Sequence, residues 1–277
     1  MKPSASPQTR RVFFLSLPIL AELLLQLLVG NVDQFMLSHV GTAAVSAVGN
    51  GNQVMHVIVI VLETVSSATT ILLTQNLGAG KAGEKCGEIA TVGVALGAIF
   101  SILVGLVTLF LPHVLFTVLR TPAEAFDGAC LYLRIVGGTV LIQGLYIELC
   151  AVLRSRTLLK EVVVASVAMN CLNVAGNAVL INDWLGLPRM GVAGAVIATV
   201  LSKAVGLALV VWLMWRKCDI RLSLRHLRTF PAETCKSLLS IALPSGTEAL
   251  SYNISQTFIL RFINLMGTTV IATKVYA

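Results

Sequence analysis

The stretch VFFLSLPILAELLLQLLVGNVDQFML, residues 12–37, decides the fold class of this chain. It is apolar and long enough to cross a bilayer core, which takes about 20 residues of α-helix. It also contains a carboxylate, Asp33, in a setting where a charged side chain is costly and usually has a function. The apolar run is too long for a signal peptide and no small-residue cleavage site follows it, so we interpret it as a first transmembrane helix.

The rest of the chain has the same apolar character. Of its 277 residues, 56% are hydrophobic and 12% are charged, and the mean hydropathy is +0.88, whereas soluble domains carry about 25% charged residues. The net charge of +7 lies mainly in short loops between apolar runs, which favours membrane topology over nucleic-acid binding as its explanation. The six cysteines lack the spacing of a disulfide framework or a zinc site. The composition therefore predicts an all-α polytopic membrane protein.

Seven spans are predicted, near residues 12–38, 52–75, 89–111, 130–153, 161–182, 191–215 and 238–265. Fourteen lysine and arginine residues fall in the N-terminal tail and in the second, fourth and sixth loops, against two in the other three loops. Because positive loops stay cytoplasmic, we predict a cytoplasmic N-terminus in a multi-pass protein of the plasma (inner) membrane, with membrane lipids as partners. In the sixth loop, RLSLRHLR (221–228) is either an amphipathic helix on the anionic leaflet or a basic loop that only sets topology.

The first and seventh spans begin alike. At an offset of 226 residues, Pro18 and Glu22 meet another proline and another glutamate, and both helices end in glycine and threonine. Six helices separate the copies, so they share an orientation, as in transporters built from parallel repeats. We predict a six-helix lobe over residues 1–225. Residues 226–277 would hold the end of an amphipathic linker and the first helix of an incomplete second lobe, which indicates a truncated gene or a partial sequence.

Several stretches carry a family resemblance in their order and spacing: LPILAELL, VDQFMLSHVG, TQNLGAGK, YLRI, VLRS, NCLNVAGNAVLI, GVAGAVIATV and LPSGTEALSYN. In these stretches the chain resembles the multidrug and toxic compound extrusion (MATE) family over nearly its whole length. The resemblance implies a transporter with twelve helices in two six-helix lobes that exports drug-like cationic or amphipathic compounds in exchange for Na⁺ or H⁺. This chain would supply the first lobe and the first helix of the second.

Two polar stripes lie inside the predicted spans. The first span carries one at spacings i, i+4, i+8 and i+11, and the fifth carries one at i, i+3 and i+7; the residues are Glu22, Gln26, Gly30 and Asp33, and Asn170, Asn173 and Asn177. Each spacing keeps the side chains on one helical face. Facing each other, the stripes would form a pocket of carboxylate and amide oxygens for Na⁺ or a shared proton. Pro18, one turn before the first stripe, favours a bend in the helix.

The family resemblance places an ion site of the first lobe on Asp33, Asn173, Asn177 and Thr199, with Pro18 as the bending residue. Asn177 stands where many relatives have aspartate. This difference leaves one carboxylate fewer, which favours Na⁺ at Asp33, Asn173 and Asn177 over a proton shared by two carboxylates.

Other polar residues lie inside the later spans. In some relatives a carboxylate of the second lobe lies eight residues after the seventh-span proline; here that position is Tyr252, and Glu248 one turn earlier is the candidate substitute. One side of the second span carries polar residues that we interpret as a face toward the second lobe or a cavity: Gln53, His56, Glu63, Ser67, Thr70 and Thr74. Glu63 is a candidate substrate contact. Glu148, Lys203 and Arg261 are expected to pack between helices or to extend toward the interface.

Several functions compete with an antiporter. A lipid-linked saccharide flippase of the same broad superfamily would carry more cationic residues along its cavity, and a truncated transporter fragment would be inactive because alternating access needs both lobes. An intramembrane enzyme would need an acid cluster for Mg²⁺ such as D-D-x-x-D, and ATP drive would need G-x-x-x-x-G-K-[ST]; the sequence contains neither motif. We predict a secondary antiporter of drug-like organic compounds that is not an enzyme, with no cofactor except the coupling Na⁺ or H⁺, and with neither ATP nor nucleic acid as a partner.

Overall fold

A computed structural model of the chain describes residues 41–81, 83–119, 121–182, 190–223, 225–228 and 231–265, together with the single positions 17, 20, 24 and 36. Every regular element within these residues is helical. The elements are α1 (Thr42–Gly78), α2 (Glu84–Phe110), α3 (Pro112–Val118), α4 (Ala123–Tyr132), a π-helical turn (Leu133–Gly137), α5 (Val140–Ser155), α6 (Leu159–Asn182), α7 (Val192–Lys217), α8 (Arg225–Arg228) and α9 (Ala232–Leu265). The predicted all-α fold is confirmed.

Most of the described helices have the length and composition of membrane spans. Helices α1, α2, α6 and α7 are each long and apolar enough to cross a bilayer, and α4 with its π-helical turn and α5 form a fifth, bent candidate. These five correspond to the predicted second to sixth spans. Helix α9 covers the seventh and is long enough, but it is less apolar than the others.

Most of the predicted first span lies outside the described residues. Leu17, Leu20 and Leu24, which are described, are helical and each about half exposed. Their spacing of i, i+3 and i+7 places them on one helical face. This face has the composition of a surface in contact with lipid.

Small residues position α2 within the bundle. Gly93, Gly97, Ser101 and Gly105 recur every fourth residue and are buried. The outer side of α2 carries large apolar residues that are about half exposed, such as Ile102 and Leu106. Membrane helices use small residues to bring backbones close together. Helix α2 therefore packs closely between α1 and α5, with its large side chains directed outward.

Helix α1 begins earlier than the sequence predicts. It starts at Thr42 rather than near residue 52 and so includes most of the residues between the predicted first and second spans. A Cβ atom at Gly51 would lie 2.4 Å from Cδ1 of Tyr132, and the Tyr132 hydroxyl donates a hydrogen bond to Asn52 Oδ1 at 2.6 Å. This contact explains the longer helix, because tertiary packing overrides weak local propensity.

The predicted fourth span, 130–153, is not one straight helix. Helix α4 passes into the π-helical turn, and the chain then bends by 48° before α5 continues. Gly137, at the end of that turn, lies against α2: a Cβ atom there would be 2.6 Å from Thr108 Cβ. A π-helical turn is a recognised cause of kinks in long helices.

The connection between α7 and α9 lies at the end of the bundle that carries Lys85, Arg154 and Lys217, which we call the basic end. The Ser223 N–H donates to Thr91 Oγ1 of α2 at 3.1 Å, and Ile220 is buried. The candidate amphipathic helix is reduced to the single turn α8 within the described part of this loop. Lys85 and Glu88 of α2 form an ion pair at 2.9 Å, and both contact Thr234 of α9. Helix α9 is thus attached to α2 here, while the lobe boundary at residue 225 stays a prediction.

Candidate ion site and substrate groove

Helices α6 and α7 approach closely enough for their polar side chains to meet. A Cβ atom at Gly176 would lie 2.9 Å from Ala198 Cβ, and one at Gly206 would lie 3.0 Å from Met169 Sδ. These glycines are needed for the short distance between the helices, because any larger side chain would push the backbones apart. The asparagine face of α6 consequently lies against α7.

The polar residues of this interface form a chain of hydrogen bonds. Asn177 Nδ2 donates to Asn173 Oδ1 at 3.3 Å, and Asn173 Nδ2 donates to Thr199 Oγ1 at 3.4 Å. The Thr199 hydroxyl in turn donates to the Ala195 carbonyl oxygen at 2.8 Å. Asn170 lies one helical turn before Asn173 and donates to a serine hydroxyl of its own helix at 3.4 Å. All three asparagines are buried, so the structure brings together every described residue of the predicted ion site.

The described residues offer this site neutral oxygen atoms. Amide and hydroxyl oxygens suit a hard cation, but they supply no negative charge. Among the residues that the structure describes, no group of three histidine, cysteine, aspartate or glutamate side chains could hold a metal ion. The predicted carboxylate Asp33 lies outside the described residues, as do Glu22, Gln26 and the bending residue Pro18. Binding of Na⁺ or H⁺ here stays a prediction.

A polar groove runs between α1 and α9, on a different side of α1 from α2 and α5. It has a volume of about 550 Å³ and is lined by Ile60, Glu63, Thr64, Ser67, Ser245, Glu248, Ala249, Tyr252 and Asn253. Small-molecule sites typically enclose about 300–1,000 Å³. The groove therefore has the size for a drug-like compound.

The lining of this groove combines negative charge with an aromatic surface. Glu63 on α1 and Glu248 on α9 are both exposed to it, and Tyr252, one turn after Glu248, is 64% exposed. Among the described residues that line the groove, two are carboxylates and none is lysine, arginine or histidine. Such a surface attracts a cation, and a tyrosine ring adds a favourable cation–π contact.

The sequence predicted the two walls of this groove separately. On the polar face of α1 that was predicted to point toward the second lobe or a cavity, all side chains are exposed except the half-buried Thr70. This face points away from the core, and its residues Glu63 and Ser67 line the groove. Glu248 and Tyr252 were predicted only as candidates of the second lobe. The structure places them opposite Glu63, where the helices are held close by Gly246, whose Cβ would lie 3.2 Å from Thr64 Cγ2.

One acidic residue takes the first of the two positions that the sequence predicted for it. Glu148 was expected to pack between helices or to reach the interface, and it is 1% exposed in the interior of the bundle, which confirms packing between helices. Gly97 of α2 leaves room for the Glu148 side chain. The small residues that recur every four positions on α2 were the sequence signal that could have predicted this burial. Lys203 is half-buried in α7, and the side chain of Arg261 lies outside the described residues.

Comparisons with known proteins agree with this architecture. The MatE family model matches residues 18–179. The chain is 32% identical to "Uncharacterized transporter YisQ" of Bacillus subtilis, over 97% of this chain and 59% of that protein. It is 27% identical to "Probable multidrug resistance protein NorM" of Thermotoga maritima, over 94% of this chain and 55% of that protein.

The fold is similar to a solved MATE transporter as well. The Vibrio cholerae transporter VcmN in its bent form superimposes with a TM-score of 0.85 at 20% identity, over 96% of this chain and 59% of the other. The chain thus spans between a half and two thirds of the length of the proteins that it matches.

Proposed function

Because this chain belongs to the MatE family, we propose that it acts as a secondary antiporter, which exports cationic amphipathic compounds in exchange for Na⁺ or H⁺. The observation that carries this proposal is the groove between α1 and α9, with Glu63 and Glu248 on its two walls. Substrates of this class have a positive charge and an apolar body, and the groove offers negative charge beside an aromatic ring. The proposed activity is transport, without enzymatic activity.

Substrate binding in this proposal depends on both helices of the groove. A cation between Glu63 and Glu248 interacts with one carboxylate from α1 and one from α9, so it holds the two helices in a fixed relation. Serine and threonine hydroxyls on the same surface contribute polar contacts that do not require one particular compound. The groove therefore suits a set of cations that differ in shape.

Ion coupling in this proposal uses the asparagine site on α6 and α7. Asn173, Asn177 and Thr199 supply neutral oxygens, and Asp33 supplies the charge that binds Na⁺ or H⁺. Because the ion site and the groove lie on different helix pairs, each can be occupied separately, and the two are linked only if binding at one changes the affinity at the other. This coupling must be reciprocal: an ion that weakens substrate binding is itself bound more weakly when substrate is present.

The basic end of the bundle sets the proposed orientation. Lys85, Arg154 and Lys217 lie at the ends of α2, α5 and α7 that meet there. Lysine and arginine accumulate on the cytoplasmic side of membrane proteins. We propose that this end lies on the cytoplasmic side of the inner membrane and that the N-terminus lies on the same side.

Binding of tetraphenylphosphonium, a lipophilic organic cation, tests the groove. In the purified full chain, Glu63→Gln and Glu248→Gln should each weaken binding about tenfold, the effect of losing one partly screened charge at contact distance. The matched control is Glu124→Gln, which removes an exposed carboxylate on α4. If both groove variants bind the cation as tightly as the unmodified chain, the proposed substrate site is wrong.

Ion coupling has its own test. Asp33→Asn should abolish cation export driven by a Na⁺ or H⁺ gradient in proteoliposomes, because the site keeps its amide oxygens but loses its charge. Tetraphenylphosphonium binding should stay unchanged, which shows that the variant is folded. Normal gradient-driven export by this variant would exclude Asp33 from the coupling site.

A further inference from the structure

Glu148 is a buried carboxyl group that neither the groove nor the asparagine site uses. It lies on α5 with 1% of its surface exposed, although carboxylates are almost never fully buried without a partner. Its side chain lies against Gly97, which has thirteen residues of α2 on either side. At 1.5 Å per residue, Gly97 is about 20 Å from both ends of that helix. The carboxyl group is therefore near the middle of the membrane.

Glycine residues of α2 form the space for this side chain. A Cβ atom at Gly97 would lie 2.6 Å from Glu148 Cγ and 3.2 Å from its Cδ and Oε1. One turn earlier, a Cβ atom at Gly93 would lie 2.4 Å from Thr69 Oγ1 of α1. The carboxyl group is thus enclosed where α1, α2 and α5 meet, which we call the three-helix junction.

The polar groups around the carboxyl group have already donated their hydrogens. Thr69, beside the carboxyl group, and Ser101 each donate to the carbonyl oxygen four residues earlier in their own helix, at 3.1 and 2.7 Å. Ser66 donates to the carbonyl oxygen of Ile147 at 3.3 Å. Within the described part of the chain, neither carboxyl oxygen of Glu148 accepts a hydrogen bond. The described hydroxyl groups of the junction are therefore already engaged as donors to backbone carbonyl oxygens.

No described lysine or arginine is in ion-pair contact with the junction. The recorded contacts of the carboxyl group on α1 and α2 are with Thr69 and Gly97. Helix α7, which also packs on α5, carries Lys203 in its apolar part, and Glu161 of α6 pairs with Lys217 at 2.8 Å. Among the described side chains, none forms an ion pair with Glu148. Within the described part of the chain, a negative charge at Glu148 would have no ion-pair partner.

We propose that Glu148 is a proton-binding site, which holds a proton while the three-helix junction is closed and releases it to water when the helices separate. A protonated carboxyl group can donate to Thr69 Oγ1, whereas a carboxylate would compete with a backbone carbonyl oxygen for the single hydrogen of that hydroxyl. The role of this proton in export rests on the proposed antiport. In that role Glu148 is a second coupling group, separate from the asparagine site.

Infrared difference spectroscopy of the full chain in lipid vesicles at neutral pH tests the site. Exposed aspartate and glutamate are ionised at that pH, so only a protonated carboxyl group contributes a C=O stretching band of the carboxylic acid. We expect the band in the unmodified chain and in the exposed control Glu124→Gln. The glutamate component of the band should be lost in Glu148→Gln, which keeps the size of the protonated side chain. Labelling the unmodified chain with ¹³C-glutamate should shift the band, and this measurement needs no variant.

The outcomes separate the proton site from the antiport. Absence of the band, no shift with ¹³C-glutamate, or an unchanged band in Glu148→Gln overturns the proton site. In proteoliposomes, Glu148→Gln should lose export driven by a pH gradient and still bind tetraphenylphosphonium; unchanged pH-driven export overturns the coupling role. If the unmodified chain shows the band but no export with any ion gradient, the antiport fails and the proton site stands.

Discussion

Replacement of Gly144 by alanine should destabilise the contact between α2 and α5. A Cβ atom at this position would lie 1.9 Å from Ser101 Oγ and 3.1 Å from Ser101 Cβ. Ser101 is fully buried, and its hydroxyl donates to the Gly97 carbonyl oxygen at 2.7 Å. The new methyl group must therefore displace the hydroxyl or push the two helices apart.

The expected cost has two parts. Overpacking a well-packed interior costs about 1–3 kcal/mol, and loss of the Ser101 hydrogen bond costs about 0.5–1.5 kcal/mol. Together they give about 2–4 kcal/mol for Gly144→Ala, which corresponds to a fall in Tm of about 5–10 °C. Adding Ser101→Gly removes both the hydroxyl and the Cβ atom from the collision, so the double variant should be more stable than Gly144→Ala alone.

Thermal unfolding monitored with a thiol-reactive fluorescent dye measures this effect. Cys150 is 1% exposed on α5 and becomes reactive only when that helix leaves the bundle. The control is Gly49→Ala on α1, where a Cβ atom would meet no described atom within 4 Å, and where alanine favours the helix by about 0.5–1 kcal/mol. The reasoning is refuted if Gly144→Ala unfolds at the Tm of the unmodified chain, or if Ser101→Gly gives it no rescue.

Two further predictions concern other parts of the fold. Gly51→Ala should cost about 1–3 kcal/mol by displacing the Tyr132 ring, and the same substitution in a Tyr132→Ala background should be nearly neutral in thermal unfolding; equal costs in both backgrounds would contradict the contact. Burial raises the pKa of the Cys218 thiol, so maleimide labelling followed by mass spectrometry should be slower at neutral pH in the folded chain than in denaturant, and faster as the pH rises. Equal rates in the two states would refute that effect.

The sequence predicted the spans well because hydropathy depends only on local composition. It predicted their ends and shapes less well, since these depend on contacts between distant residues. Gly51 lies just before the predicted start of the second span, yet its contact with Tyr132 keeps it inside α1. The bend after α4 likewise occurs where Gly137 meets Thr108 of another helix, and neither residue predicts that meeting by itself.

The candidate sites show the same division. The spacing of Asn170, Asn173 and Asn177 was enough to place them on one face of α6, because helical geometry fixes that relation. The position of Glu63 and Glu248 on opposite walls of one groove was not predictable from spacing, since it depends on which helices are neighbours. Roles in ion and substrate binding stay predictions, because a position on a face does not by itself identify a ligand.

Helix α1 provides a physical connection between the groove and the three-helix junction. Glu63 and Ser67 line the groove, while Ser66 and Thr69 face the junction, and all four lie within two turns of the same helix. Densely packed helices transmit displacement as nearly rigid bodies. In the proposed function, we expect a cation that draws α1 toward α9 to withdraw Thr69 from Glu148 and to open the junction to water. Proton release at Glu148 would then follow substrate binding in the groove, which is the order that an exchange of one cation for another requires.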